Sequence, residues 1–202
     1  MSAPAGVFDL HADGEPPADP LALARLWLPP DEEPERPRAT LATVGEDGYP
    51  AARTVLLSAF DATGFAFHTA AGSRKTAELA ALPRAALVLL WPGFDRQLTV
   101  RGDVVADDPA SAAAAWAARP DHLRLLAWLN TDELAGRPLG ERRERWADLA
   151  ARPLPPAPAD SWVGYRLQPR EYTFWAARPD TASRRLQYRR DGAGWRWAHR
   201  AG

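Results

Sequence analysis

Apolar and polar positions alternate in short runs along most of this chain, and Gly, Pro and Asp separate the runs. ATLATV (39–44) and AARTVLLSAF (51–60) read as two strands. The turn Glu46-Asp-Gly-Tyr-Pro50 between them implies a hairpin. Asp61-Ala-Thr-Gly64 is a second turn, leading into a strand over Phe65–Thr69. The period then changes. A helix is predicted over Arg74–Leu82, with Ser73 as its cap and Pro83 as its stop. Ala85–Trp91 is an almost wholly apolar strand, and RQLTVRGDVVA (96–106) alternates as another. Helices follow over Asp108–Ala118, Pro120–Leu129 and Gly140–Ala151, the first opened by Asp108 ahead of Pro109. Strands resume at Trp162–Leu167, Tyr172–Ala176, Arg185–Tyr188 and Trp195–His199. The last two flank Arg190-Asp-Gly-Ala-Gly194, a hairpin turn.

Antiparallel strands with helices inserted in the middle do not make the strand–helix alternation of a parallel sheet. The predicted class is mainly β with α insertions, a β-barrel with helical excursions and no internal repeat. Residues 1–37 are rich in Pro, Asp and Glu and read as a mostly extended arm with one short helix around Pro20–Leu28. Residues 38–202 read as one domain. Within it, Arg152-Pro-Leu-Pro-Pro-Ala-Pro158 is a stiff connector.

Composition narrows the function classes. With 202 residues, 46% of them hydrophobic, the chain is long enough for a sizeable core. A net charge of -1 lacks the basic excess of a general nucleic-acid binder. There is no cysteine, which excludes disulfides and thiolate metal sites and makes a reducing, cytoplasmic setting the expectation. The start of the chain lacks a signal-peptide layout, and no apolar run approaches the roughly 18 residues of a membrane span. The four histidines, His11, His68, His122 and His199, are scattered, so no metal site is expected. The nine tryptophans read mostly as core or interface filler.

The chemistry concentrates in Phe67-His-Thr-Ala-Ala-Gly-Ser-Arg-Lys75. A helix start offers free N–H groups and partial positive charge, and Arg74 and Lys75 add to it. Such a place suits a phosphate, with Arg as a planar two-point donor and Lys as a point charge. Arg53 lies one strand earlier, within reach across the hairpin. A solvated helix face is the commoner meaning of a bare G-S-R-K, and the spacing fits neither a triphosphate loop nor a dinucleotide fold.

The order of several motifs adds to this. Arg53-Thr-Val-Leu-Leu-Ser58, Phe67-His-Thr69, Gly72-Ser-Arg-Lys75, Arg96-Gln97, Ala118-Arg-Pro120, Trp162-Val-Gly-Tyr-Arg166, Phe174-Trp175, and Arg185 followed by Tyr188 run in sequence across Arg38–His199. In that order the chain resembles the pyridoxamine 5′-phosphate oxidase family of FMN-binding split barrels. The phenazine-biosynthesis flavin oxidases are relatives.

The resemblance implies a homodimer with FMN at the subunit interface. Arg53 and Lys75 would hold the FMN phosphate, with Arg74 beside them. Thr54, Val55, Leu56, Leu57 and Ser58 would line the flavin, largely through backbone. His68 and Thr69 stand at the family's aromatic-Thr pair. Gln97, Trp175 and Arg185 would reach the flavin, partly from the other subunit. A Gln-Ser pair of the family falls on Asp132-Glu133, or on Asn130 and Thr131 after a small shift.

The resemblance also implies substrate contacts, and here the chain departs from it. Where the family holds its substrate's phosphate with Lys, Tyr, Arg and Ser, this chain has Ser58, Ala115, Arg119 and Leu123. Where an Arg and a His meet the substrate ring, it has Thr181 and Ser183. The flavin set is kept and the substrate set is dissolved. The expectation is an FMN-dependent oxidase acting on a substrate other than pyridoxamine or pyridoxine phosphate, such as a reduced heterocycle in a biosynthetic pathway. Arg119 or Arg184 would hold a substrate carboxylate. Two alternatives stand beside it. One is a pyridoxamine 5′-phosphate oxidase with contacts rebuilt from Arg124, Arg178 or Arg184. The other is a non-catalytic flavin-binding protein.

Overall fold

The computed structural model describes residues 8–28, 38–91, 95–153 and 162–202. The two ends of the proposed arm (1–7 and 29–37) and most of the proline-rich connector (154–161) lie outside the described residues. The elements run α1 (Pro20–Trp27), β1 (Arg38–Val44), β2 (Pro50–Asp61), β3 (Gly64–Ala70), α2 (Arg74–Ala81), β4 (Arg84–Leu90) and β5 (Arg96–Ala106). Then come α3 (Pro109–Ala117), α4 (Asp121–Leu129), α5 (Asp132–Ala135), α6 (Leu139–Ala150), β6 (Trp162–Ala176), β7 (Arg184–Asp191) and β8 (Gly194–Ala201).

Six strands close on themselves. They lie in the order β3-β2-β1-β4-β5-β6, and β6 pairs back onto β3, every pairing being antiparallel. Alternation along each strand sends one set of side chains inward: Ala39 and Leu41 from β1, Val55 and Leu57 from β2, Leu87 and Leu89 from β4, Leu98 and Val100 from β5. Each such Leu or Phe contributes about 1.5–3 kcal/mol on burial. β3 is covered on both faces, with Phe65 and Phe67 inside the barrel and Ala66 and His68 buried on the outside.

β6 does two jobs. Its first half, Trp162–Leu167, pairs with β3 and closes the barrel, while its second half carries β7 and β8. The two separate strands predicted at 162–167 and 172–176 are therefore one strand of 15 residues. The break that the sequence suggests is a bulge. Arg101 pairs with Glu171 and Gly102 with Pro169, so Arg170 is the extra residue. Proline, which has no N–H to donate, is tolerated there.

The first described segment belongs to the same core. Asp19 caps α1 by accepting from Leu21 N, and Pro20 takes the first helical position. Leu10, Leu23, Ala24, Trp27 and Leu28 join the buried cluster, and Trp27 meets Trp91 and Phe174 edge-on. The Tyr188 hydroxyl donates to the Pro17 carbonyl at 2.9 Å.

The helices α3 to α6 stand between β5 and β6. Asp108 and Thr131 cap α3 and α5, and α6 buries no residue within the chain. The short α5 has no counterpart in the sequence reading. Among the described residues no helix is long and apolar enough to cross a membrane.

Candidate active site

The end of β1, the start of β2, the end of β3 and the start of α2 gather a group of charges at the rim of the barrel. Arg53 Nη2 lies 2.5 Å from Glu78 Oε2, Arg53 Nη1 donates to Thr43 Oγ1, and Thr43 Oγ1 donates to Glu78 Oε2 at 2.6 Å. Arg74 Nε donates to the other carboxylate oxygen at 2.7 Å. Lys75 Nζ donates to Thr69 Oγ1 at 2.9 Å. Three cations thus surround one carboxylate. Burial pulls the Lys75 pKa below its usual value, the Arg53 charge pulls it further, and Glu78 opposes both. Burial pushes Glu78 up, but hydrogen bonds from Thr43 and Arg53, the Arg53 charge and a bond from Arg74 outweigh it and hold the carboxyl ionised. The excess positive charge at a helix start suits a phosphate or a similar anion.

Glu78 and Thr43 are the residues the sequence reading missed. The signal was there. Glu78 is four residues after Arg74 on one helix face, and Thr43 occupies an inward position of an alternating strand. Ser73 stands at the N-cap of α2 but makes no side-chain cap bond; its hydroxyl lies 3.4 Å from Thr69 Oγ1 instead.

A second group lies on the outer face of the β2–β3–β6 corner. Leu57 pairs with Phe67 and Ala59 with Ala66, so Ser58 is the extra residue of a bulge in β2. Its Oγ is 2.7 Å from His68 Nδ1. The His68 ring stacks on Trp162 with an interplanar angle of 12°, and Trp116 meets Trp162 edge-on. Arg119 lies over Trp162, its Cζ 4.1 Å from the ring centroid, and donates to the Leu123 carbonyl at 3.4 Å. Burial pulls Arg119 down to about 10, and it has no carboxylate partner among the described residues. Asp107 accepts from Arg166 Nε at 3.0 Å and from Ser111 Oγ at 2.7 Å.

Burial pulls the His68 pKa below its ordinary 6.5; Asp107 raises it, and Arg119 and Arg166 lower it again. The unfolded chain would take up a proton near 6.5 where the folded chain resists. The contribution to stability is therefore full above that pH and falls as the pH drops below it. Replacing His68 by Phe should flatten the stability profile between pH 6.5 and 5 relative to the wild type, as read by urea denaturation across that range.

The remaining predicted positions are spread over the chain. Val55 and Leu57 are in the core, so only their backbone is available outside; Thr54 is exposed and Leu56 half-buried. Ala115 and Leu123 are half-buried on α3 and α4, beside Arg119 in the chain. Gln97, Trp175 and Arg185 form one cross-strand row over β5, β6 and β7. With Leu90, Ser183 and Gly202 they line a cavity of about 430 Å³. None of the Arg53–Lys75 group lines it, so one chain does not bring the two predicted halves of the cofactor site together. Thr181, Ser183 and Arg184 line a neighbouring cavity of about 500 Å³ under Asp9, His11 and Asp13. Asn130, Thr131, Asp132 and Glu133 are exposed; Thr131 caps α5 and Glu133 faces Arg137. Arg124 bonds the Ala117 carbonyl and Arg178 pairs with Asp9 and Asp180.

This arrangement can be set beside known proteins. Residues 31–153 match the family described as pyridoxamine 5′-phosphate oxidase, and residues 162–200 match the pyridoxine 5′-phosphate oxidase C-terminal dimerisation region. A pyridoxine/pyridoxamine 5′-phosphate oxidase of Cupriavidus pinatubonensis is 43% identical over 87% of this chain and 85% of its own length. One from Thermosynechococcus vestitus is 41% identical over 88% and 86%. The crystal structure of PhzG from Burkholderia lata in complex with tetrahydrophenazine-1-carboxylic acid superposes with a TM-score of 0.77 at 30% identity, covering 93% of this chain and 95% of that one. Barrel, motif order and matched length agree: the chain belongs to the pyridoxamine 5′-phosphate oxidase family.

Proposed function

We propose that this chain is an FMN-dependent oxidoreductase acting on a reduced, carboxylate-bearing heterocycle rather than on pyridoxamine or pyridoxine phosphate. The observation that carries the substrate side is the Ser58–Arg119 corner. Ser58 is engaged with His68, the Ala115 and Leu123 side chains offer no polar group, and among the described residues Arg119 is the one cation on Trp162, half-buried and without a carboxylate partner. A single planar guanidinium beside an aromatic face suits one carboxylate on a flat ring. PhzG, solved with tetrahydrophenazine-1-carboxylic acid, supports that substrate class.

The cofactor side rests on Arg53, Arg74 and Lys75. Their charge exceeds that of Glu78, which fits a phosphate tail. FMN supplies a two-electron acceptor when bound; the chain's own groups hold it and shape what lies against it. The match to a dimerisation region supports a homodimer. In it the Gln97–Trp175–Arg185 row of one protomer would face the Arg53–Lys75 end of its partner.

A second reading is favoured by the names of the relatives, which are pyridoxine/pyridoxamine 5′-phosphate oxidases. The two separate cleanly. A charge-assisted hydrogen bond contributes about 1.5–3 kcal/mol, so a missing Lys and two missing hydroxyl donors weaken phosphate binding by about a hundred-fold or more. Purified protein should release FMN, not FAD, on denaturation. With pyridoxamine phosphate it should bleach its flavin and form peroxide at least about a hundred-fold less efficiently than a true family oxidase. Comparable turnover would establish the second reading instead.

A further inference from the structure

We infer that Ser58, His68 and Asp107 form a proton relay in which Ser58 Oγ takes a proton from the bound substrate and His68 stores it; this rests on the substrate side of the function proposed above.

Two irregularities of the barrel build the relay. The first is the bulge in β2. Ser58 is the residue without a partner on β3, and the bulge puts it on the outer face with its Oγ 2.7 Å from His68 Nδ1. Bulges beside a ligand site re-aim a side chain in this way. The second is Gly164. It pairs with His68 across β3 and β6, and a Cβ there would lie 2.7 Å from His68 Nε2 and 2.9 Å from Asp107 Cβ. The missing side chain lets Asp107, just past the end of β5, come up to the imidazole. Asp107 Oδ2 is 3.6 Å from His68 Nε2.

That distance is too long for a hydrogen bond. His68 Nε2 is buried and has no hydrogen-bond partner among the described residues. A buried donor without a partner costs free energy, which an ionic contact with Asp107 would offset once the ring is charged. The groups facing the imidazole are Ser58, Asp107, Arg119, Arg166 and the Trp162 ring. Burial, helped by the two cations and opposed by Asp107, favours the neutral ring at rest. Asp107 is fixed by Arg166 and Ser111 and stays ionised. A neutral ring with its proton on Nε2 leaves Nδ1 to accept from Ser58.

The chemistry balances. A substrate N–H bond breaks and its proton bonds to Ser58 Oγ, while the hydroxyl's own proton passes to His68 Nδ1. The electron pair left on the substrate nitrogen would form the new C=N bond, with the neighbouring C–H hydride passing to the two-electron acceptor that FMN would supply when bound. His68 ends as an imidazolium facing the Asp107 carboxylate. Ser58 touches the substrate; His68 and Asp107 act through it.

The test has two readouts on the holoprotein. The first is the His68 tautomer by ¹⁵N NMR, which needs no substrate. The relay requires the proton on Nε2, and Ser58→Ala should shift the Nδ1 resonance while leaving the protein folded. Gly164→Ala should move His68 away from Asp107 and lower its pKa. A proton on Nδ1 in the resting protein overturns the relay. The second readout is anaerobic flavin bleaching by tetrahydrophenazine-1-carboxylic acid as a function of pH. Ser58→Ala should slow it about a hundred-fold or more and abolish its rise with pH. Unchanged bleaching in Ser58→Ala also overturns the relay. If the wild type is not bleached at all, the substrate reading fails, and the tautomer alone decides the relay.

Discussion

Arg53→Met is expected to cost this protein both the FMN affinity proposed above and a large part of its stability. Arg53 is the less exposed of the two guanidiniums paired with Glu78, whose side chain is 4% exposed. Removing it leaves the buried Glu78 carboxylate paired with the exposed Arg74 instead, and loss of one partner of a buried pair costs about 3–5 kcal/mol. Arg53 is itself 21% exposed, so the lower end applies. For a chain of this size about 3 kcal/mol corresponds to roughly 6–12 °C in melting temperature. FMN affinity should fall about 10- to 100-fold with the lost guanidinium contacts. The double variant Arg53→Met/Glu78→Gln separates the two effects, because it removes the stranded charge. It should recover most of the stability and none of the affinity. Arg74→Met should do little to either, since Arg74 is 68% exposed. Thermal melts of the apoprotein and flavin-fluorescence titration measure these quantities. Equal FMN retention in Arg53→Met and Arg74→Met would mean that Arg53 does not meet the phosphate.

Gly102→Ala should be more damaging than its single methyl suggests. The added Cβ would lie 1.9 Å from the Gln168 carbonyl oxygen and 3.0 Å from Pro169 Cα. Both are backbone, so no side chain can swing aside. The clash sits at the bulge where β6 passes from closing the barrel to carrying β7 and β8. Overpacking commonly costs about 1–3 kcal/mol, and an overlap with main chain belongs at or above the top of that range. Gly140→Ala is the control of opposite sign. Gly140 lies in α6 with nothing within 4 Å of its would-be Cβ, and the helix should gain about 0.5–1 kcal/mol. Urea denaturation followed by tryptophan fluorescence should place the two variants on opposite sides of the wild type.

The strands and most helices were legible because one-sided burial writes period 2 or 3.6 into the sequence. β5 and the hairpin of β7 and β8 follow directly from it. The bulge in β6 was read as a gap because Pro169 and its neighbours look like a turn, and only the pairing partner β5 shows that the strand continues. α5 is a single turn with too few residues for a period. In the candidate site, Arg53 and Arg74 both reach Glu78, and Lys75 bonds Thr69. Glu78 was missed for another reason. A helical Glu four residues from an Arg usually marks a solvated face, and what buries it comes from β1, 35 residues earlier. Asp107 was passed over beside the more obvious helix cap Asp108. Its role depends on Gly164, where the informative feature is a side chain that is missing.

The closing of the barrel by β6 has a consequence for how the chain comes off the ribosome. β3 and β5 each wait for the same partner, and that partner follows the whole helical stretch after Ala106. At about 5–20 residues per second, this stretch takes roughly 3–10 s to synthesise. During that time five strands form a sheet with two open edges, and β3, which the finished fold covers on both faces, is one of them. Long-range pairing is slow even after the last residue is made. The nascent sheet is therefore the form most prone to edge-to-edge association. Yield in a heterologous host should respond to slower growth or added chaperone more than to any change at the surface of the finished barrel.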